Sequence, residues 1–116
     1  MTFAIVDRSG ILTGELREFV ERRLLFALSR FESRIQRTTV VVADANGPRG
    51  GIDKSCRITV KLRRAGDVTI TDQDVEVGSC IARAADRVGR AVARAIERTR
   101  RIDRSGPPVS DSGVSP

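Results

Sequence analysis

Between Lys54 and Leu62 the chain alternates without a break: Cys56, Ile58, Val60 and Leu62 are apolar, and Ser55, Arg57, Thr59 and Lys61 between them are polar. Successive side chains of a strand point to opposite faces, so this segment is a strand with one dry face and one wet face. A sheet built around it is open to water on one side, and whatever covers the core has to lie on the other.

The rest of the chain supplies that cover. Phe3 and Ile5 alternate with Ala4 and Val6 in a short first strand, broken at Asp7 to Gly10. Thr13 is an N-cap for a helix with Glu15 and Glu18 in its first turns, where the helix dipole favours acids. Leu16, Val20, Leu24, Ala27, Leu28, Phe31 and Ile35 then recur at three- and four-residue steps, which predicts one amphipathic helix of about six turns. Residues 38–45 are β-branched and continuous, as in an inner strand, and Asn46 to Gly51 reads as a loop. After Leu62, the stretch Arg64-Ala65-Gly66-Asp67 turns the chain into a fourth strand with Val68 and Ile70 inward and Thr69 and Thr71 outward. Asp74 is placed to cap a second helix whose apolar set, from Val77 through Ile81, Ala84, Ala85, Val88, Val92 and Ile96 to Ile102, keeps helical period for about 25 residues.

The order is β-α-β-β-β-α. A strand–helix–strand unit prefers a right-handed crossover with parallel strands, and hairpins join the others. The fold class is therefore α+β, a two-layer sandwich in which two helices pack on one face of a four-stranded mixed sheet. At 116 residues this is one domain, expected over residues 1–103, with a Ser/Gly/Pro-rich disordered tail over 104–116.

Several function classes drop out on composition. The chain has no His, Trp or Tyr, so it lacks the usual general base, the commonest nitrogen ligand for metals and most stacking aromatics. Cys56 and Cys80 have no metal-ligand spacing and read as buried reduced thiols. Gly47-Pro48-Arg49-Gly50-Gly51 lacks the Lys-Ser/Thr that follows a phosphate-binding loop. No catalytic residue, metal, cofactor or small-molecule substrate is expected. With no run of 18 apolar residues and a charged N-terminus, no membrane partner is expected either, and the location is cytoplasmic.

The formal charge of +6 points to polyanions. Of the 21 basic residues 19 are Arg, a bias that a GC-rich coding preference would also produce, so position matters more than number. On a helical wheel with Ile81 at the origin, Arg83, Arg87, Arg90, Arg94, Arg98 and Arg101 fall in one outward sector of about 80°. Only Asp86 and Glu97 offset the Arg of residues 83–101. On the first helix Arg22, Arg23, Arg30 and Arg37 gather on one flank of the apolar stripe, and Glu18, Glu21 and Glu32 on the other. If the basic flank faces the second helix, the groove between them is a positive trough for successive phosphates. Phe26 reads as an edge-of-core residue on that flank, and Arg57, Lys61, Arg63 and Arg64 as solvated charges of the open sheet face or its edge.

The order of elements, the run Glu15-Leu16-Arg17-Glu18-Phe19-Val20-Glu21-Arg22-Arg23-Leu24 leading to Arg30-Phe31, and the run Ile81-Ala82-Arg83-Ala84-Ala85-Asp86-Arg87 resemble the ribosome hibernation promoting factor and ribosome-associated inhibitor family, also called sigma-54 modulation proteins. The likeness covers residues 1 to about 102. It implies a short-form protein that occupies the decoding channel of the small ribosomal subunit, competes there with messenger RNA and transfer RNA, and silences idle ribosomes under stress. Carried over by position, Arg22, Arg23, Arg30, Arg83, Arg87, Arg90, Arg94, Arg98 and Arg101 would face ribosomal RNA. Gly78 stands where the family often has a tyrosine, and a short tail stands where long members carry a second domain, so ribosome pairing by this chain alone is not expected. Two other readings fit the same residues: a generic RNA- or DNA-binding module of related fold, and a basic protein-interaction domain.

Overall fold

The computed structural model describes residues 1–44 and 54–105, with side chains as far as Arg101; the loop expected at 46–51, the Ile102 side chain and the tail beyond Ser105 lie outside the described residues. The elements are β1 (Phe3–Asp7), α1 (Gly14–Leu28), a 3-10 segment (Ser29–Arg34), β2 (Ile35–Asp44), β3 (Lys54–Leu62), β4 (Gly66–Asp74) and α2 (Val77–Ser105). The sheet runs β1-β2-β3-β4, with β1 parallel to β2 and the other pairs antiparallel. This is the α+β sandwich expected from the order of elements.

The alternation of β3 decides the two faces as anticipated. Cys56, Ile58 and Val60 are fully buried, while Arg57 and Lys61 are exposed. The register carries the same parity across the sheet: Val40 and Val42 of β2 oppose Ile58 and Cys56 and are buried with them. Over this face lie Val20, Leu24 and Leu28 of α1 and Ile81, Ala84, Ala85, Val88 and Val92 of α2, all buried. Burying a branched aliphatic side chain completely contributes about 1.5–3 kcal/mol, so the core rests on aliphatic packing from both helices.

The helices approach closely at one point. A Cβ built on Gly89 of α2 would lie 3.1 Å from the Ala27 carbonyl oxygen and 3.2 Å from the Ala27 Cβ of α1. Glycine lets the two backbones meet there without strain, whereas a Cβ would require Ala27 to give by a few tenths of an ångström.

Local chemistry joins the elements. Asp7 at the end of β1 accepts hydrogen bonds from the backbone N–H groups of Ile11 (3.0 Å) and Leu12 (2.9 Å), tying the strand to the loop that leads into α1. Thr13 is the N-cap, its hydroxyl accepting from the Leu16 N–H at 3.1 Å. Burial opposes the charge of Asp7, but the N–H groups of Leu12 and Ile11 outweigh it and hold the carboxyl below its usual range.

Three sequence expectations change. The helix predicted to run to Ile35 stops at Leu28 and tightens into the 3-10 segment. A 3-10 helix has three residues per turn, so the step from Leu28 to Phe31 suits it as well as an α-helix. Arg37, placed on the helical flank, therefore belongs to β2, where it pairs in register with Lys61 of β3 and is exposed. Asp74 does not cap α2; it ends β4, and its carboxylate accepts the Glu76 N–H at 3.0 Å, closing the turn before the helix. The first helical bond runs from the Cys80 N–H to the Glu76 carbonyl, and Gly78 sits inside the first turn.

Candidate nucleic-acid interface

The arginines of α2 share one sector of the wheel but not one environment. Arg83 turns toward β4: its Nε donates to Asp72 at 2.9 Å, and its Nη2 donates to Asp74 at 3.0 Å and to the Gln73 carbonyl at 2.9 Å. Arg87 follows one turn later, donating to the Thr71 carbonyl at 3.1 Å and to Asp72 at 3.2 Å. Thr71 and Gln73 are two residues apart on an edge strand, so both carbonyls point to one side, and the two guanidinium groups fasten the start of α2 along it. Hydrogen bonds from Arg83 and then Arg87 hold the Asp72 carboxyl below the usual carboxylate range. The Glu76 N–H and then Arg83 do the same for Asp74. The bonds to Asp72 and Asp74 push Arg83 still higher than an ordinary guanidinium.

Arg23 of α1 crosses to α2 and meets Asp86 at 3.0 Å, with its guanidinium 6.0 Å from the centre of the Phe19 ring. The basic flank of α1 thus does face α2. Arg30, in the 3-10 segment, lies over the Phe31 ring at 4.6 Å. Among the described residues, no carboxylate is within ion-pair distance of Arg22, Arg30, Arg90, Arg94 or Arg98. All five are exposed, as is Arg101 farther along the same ridge.

The nine arginines singled out in the sequence therefore divide. Arg30 and Arg90 line a cleft between the helices; Arg94, Arg98 and Arg101 continue the outer ridge of α2, and Arg22 is exposed on α1. Arg83 and Arg87 are bound to β4, and Arg23 to Asp86. The positive trough expected from the whole stripe is narrower than the wheel implied. Asp72 and Asp74 were the missing partners. The alternation that sends Val68 and Ile70 inward continues in phase to both, and both are partly buried on the helix side.

Phe26 differs too. It is not at the edge of the core but 84% exposed, on the rim of the interhelical cleft. Gly89 had no signal in the apolar periodicity, because a glycine on the face toward a neighbouring helix is neither apolar bulk nor charge.

On the open face Arg57, Lys61, Arg63 and Arg64 are exposed, as expected of solvated charges. Cys56 and Cys80 are free and buried; burial pushes the thiols up to about 12 and about 11, so both are protonated near neutrality. Among the described residues no cluster of three or more His, Cys, Asp or Glu could hold a metal ion, and no helix is long and apolar enough to cross a membrane.

The N-terminal domain of Thermus thermophilus Protein Y superposes with a TM-score of 0.67 at 25% identity, over 81% of this chain and 98% of that one. A ribosomal subunit interface protein from Coxiella burnetii superposes with a TM-score of 0.68 over 84% of this chain and 99% of that one; at 12% identity it is similar in fold alone. No curated protein sequence matches. The model of one family, Sigma 54 modulation protein / S30EA ribosomal protein, matches residues 4–100. The chain belongs to the Sigma 54 modulation protein / S30EA ribosomal protein family.

Proposed function

We propose that this protein is a non-enzymatic ribosome-associated factor of the cytoplasm that lays its basic helical surface on ribosomal RNA in the decoding channel of the small subunit, excluding messenger RNA and transfer RNA. The family supports ribosome association. The observation that carries the RNA contact is the set Arg22, Arg30, Arg90, Arg94 and Arg98, exposed on adjoining segments with no carboxylate partner among the described residues. Five like charges on neighbouring elements repel in the free protein, and phosphates relieve that repulsion while releasing their counterions.

Co-sedimentation with small subunits across a salt series tests the proposal. Five phosphate contacts give a log-log slope of about −3.5 to −4.5, whereas engagement of all nine arginines would steepen it to about −6 to −8. Transfer RNA and messenger RNA bound to the subunit should displace the protein. A generic nucleic-acid module would bind without such competition, and no bound fraction at low salt would end the proposal.

A further inference from the structure

An exposed phenyl ring is out of place on α1, because the helix has an apolar stripe that could have buried it. Phe26 instead lies at the rim of an open cleft of about 310 Å³ between the helices, lined also by Ser29, Arg30, Asp86, Gly89 and Arg90. That is the small end of the range for small-ligand pockets, about 300–1,000 Å³, and suits one compact group rather than an extended chain. Gly89 leaves its part of the cleft unfilled, since it carries no side chain where a Cβ would already press on Ala27. Of the three charges on the lining, Asp86 is taken up by Arg23 at 3.0 Å. That leaves two cations, Arg30 and Arg90, without a carboxylate among the described residues, and the Arg30 guanidinium is held over the Phe31 ring.

The cleft therefore offers an aromatic face beside two guanidinium groups and a hydroxyl. An apolar protein side chain would satisfy the ring and strand the cations. An acidic peptide would satisfy the cations and leave the ring in water. A nucleotide satisfies both, since every base has a π-face and every nucleotide a phosphate. We infer that this cleft takes one unstacked nucleotide of RNA, its base against Phe26 and its phosphate on Arg30 and Arg90. The inference rests on the ribosome reading only for where the RNA strand comes from.

The chain has no Trp or Tyr, so Phe26→Trp introduces a single reporter at the proposed contact. The full-length variant is titrated with small ribosomal subunits and, separately, with a short single-stranded oligoadenylate. Stacking quenches the indole with both. In parallel, Phe26→Ala weakens subunit binding by about 5- to 150-fold, the worth of one stacked base, and leaves the salt slope unchanged because stacking releases no counterion. Arg30→Gln lowers the slope by about 0.7–0.9. The melting temperature of Phe26→Ala should match that of the parent, since the ring is exposed.

Unchanged indole emission while the parent protein still co-sediments overturns the nucleotide cleft and leaves the ribosome reading standing. Quenching by the oligonucleotide with no co-sedimentation does the reverse. A blue shift with subunits and no response to the oligonucleotide means that the ring is buried against a protein, which also overturns the inference.

Discussion

The first and second halves of α2 carry arginine at the same helical spacing and put it to different ends. Arg83 and Arg87 are held by Asp72, Asp74 and two carbonyls of β4, and they fasten a helix to an edge strand. Arg90, Arg94 and Arg98 meet no carboxylate among the described residues. The cause lies in β4 rather than in α2. Its inward positions read Val68, Ile70, Asp72 and Asp74, and the helix runs past them in the reverse direction, so the acids meet its first turns and the aliphatic residues meet the next. A charge stripe is thus left open to an outside anion only where the neighbouring element leaves it unopposed.

The sharpest way to break this comparison is to neutralise each half in turn. Replacing Arg90, Arg94 and Arg98 by Gln should lower the slope of log affinity against log salt by about 2–3, which is a loss on the order of 10³-fold at about 50 mM salt, with little change in melting temperature. Replacing Arg83 and Arg87 by Gln should leave the slope nearly unchanged and lower the melting temperature instead. Equal slopes for the two variants would mean that the halves do not differ in function.

Most of the fold could be read from the chain because its apolar periods are strict. The alternation at Cys56, Ile58, Val60 and Leu62 fixed which side of the sheet the helices occupy, and the buried set of both helices follows from it. The end of α1 was not legible, because the step from Leu28 to Phe31 satisfies two helix types and the choice is made by where Ile35 must enter the sheet. The arginine ridge was legible as a sector of the wheel. Its division was not, since a wheel describes one element and the acids that divide it lie on another. Phe26 misled for a related reason: hydrophobicity says where a side chain is usually found, and an exposed ring is seen only once its neighbours are placed.

Gly89 gives the next largest effect. Gly89→Val must force the helices apart where Ala27 already sits at 3.1–3.2 Å from a built Cβ, and overpacking of this kind costs about 1–3 kcal/mol. Gly89→Ala meets the same contact with one methyl and gains about 1 kcal/mol of helix propensity, so it should lie near neutrality in a thermal melt. A smaller effect is expected at Asp72. Asp72→Asn weakens the fastening of α2 by about 1 kcal/mol, a drop of about 4–8 °C in melting temperature. It also removes the ion pair that holds Arg87 and one of the two that hold Arg83, leaving Arg83 on Asp74 and Arg87 on the Thr71 carbonyl, so the salt slope for RNA binding should steepen by up to about 1 per arginine that then reaches a phosphate. A destabilised variant whose slope stays constant would show that position, and not pairing, keeps these two residues from RNA.

Acid provides the gentlest probe of the same contrast. The Asp72 and Asp74 carboxyls are held below the ordinary range by Arg83, Arg87 and the Glu76 N–H, so their folded values lie under the unfolded value near 3.9. A depressed folded value stabilises the native state fully above the unfolded value, and that contribution is lost as the pH falls through the lowered ones. Melting temperatures should thus be flat from neutrality down to about pH 5 and decline below about pH 4. Asp7 is depressed as well and would by itself produce part of that decline. The part owed to the clamp is the difference between the parent and an Asp72→Asn, Asp74→Asn variant, which retains Asp7. That difference should shrink as the pH falls below about 4 and stay constant above about 5, because the ion pairs with Arg83 and Arg87 need the carboxylates ionised. No gap between the two melts at neutral pH would assign the stability of the α2 start to the carbonyl contacts of Thr71 and Gln73 alone, and a gap that keeps its full size at pH 3 would show that it does not come from ionisation of these carboxylates.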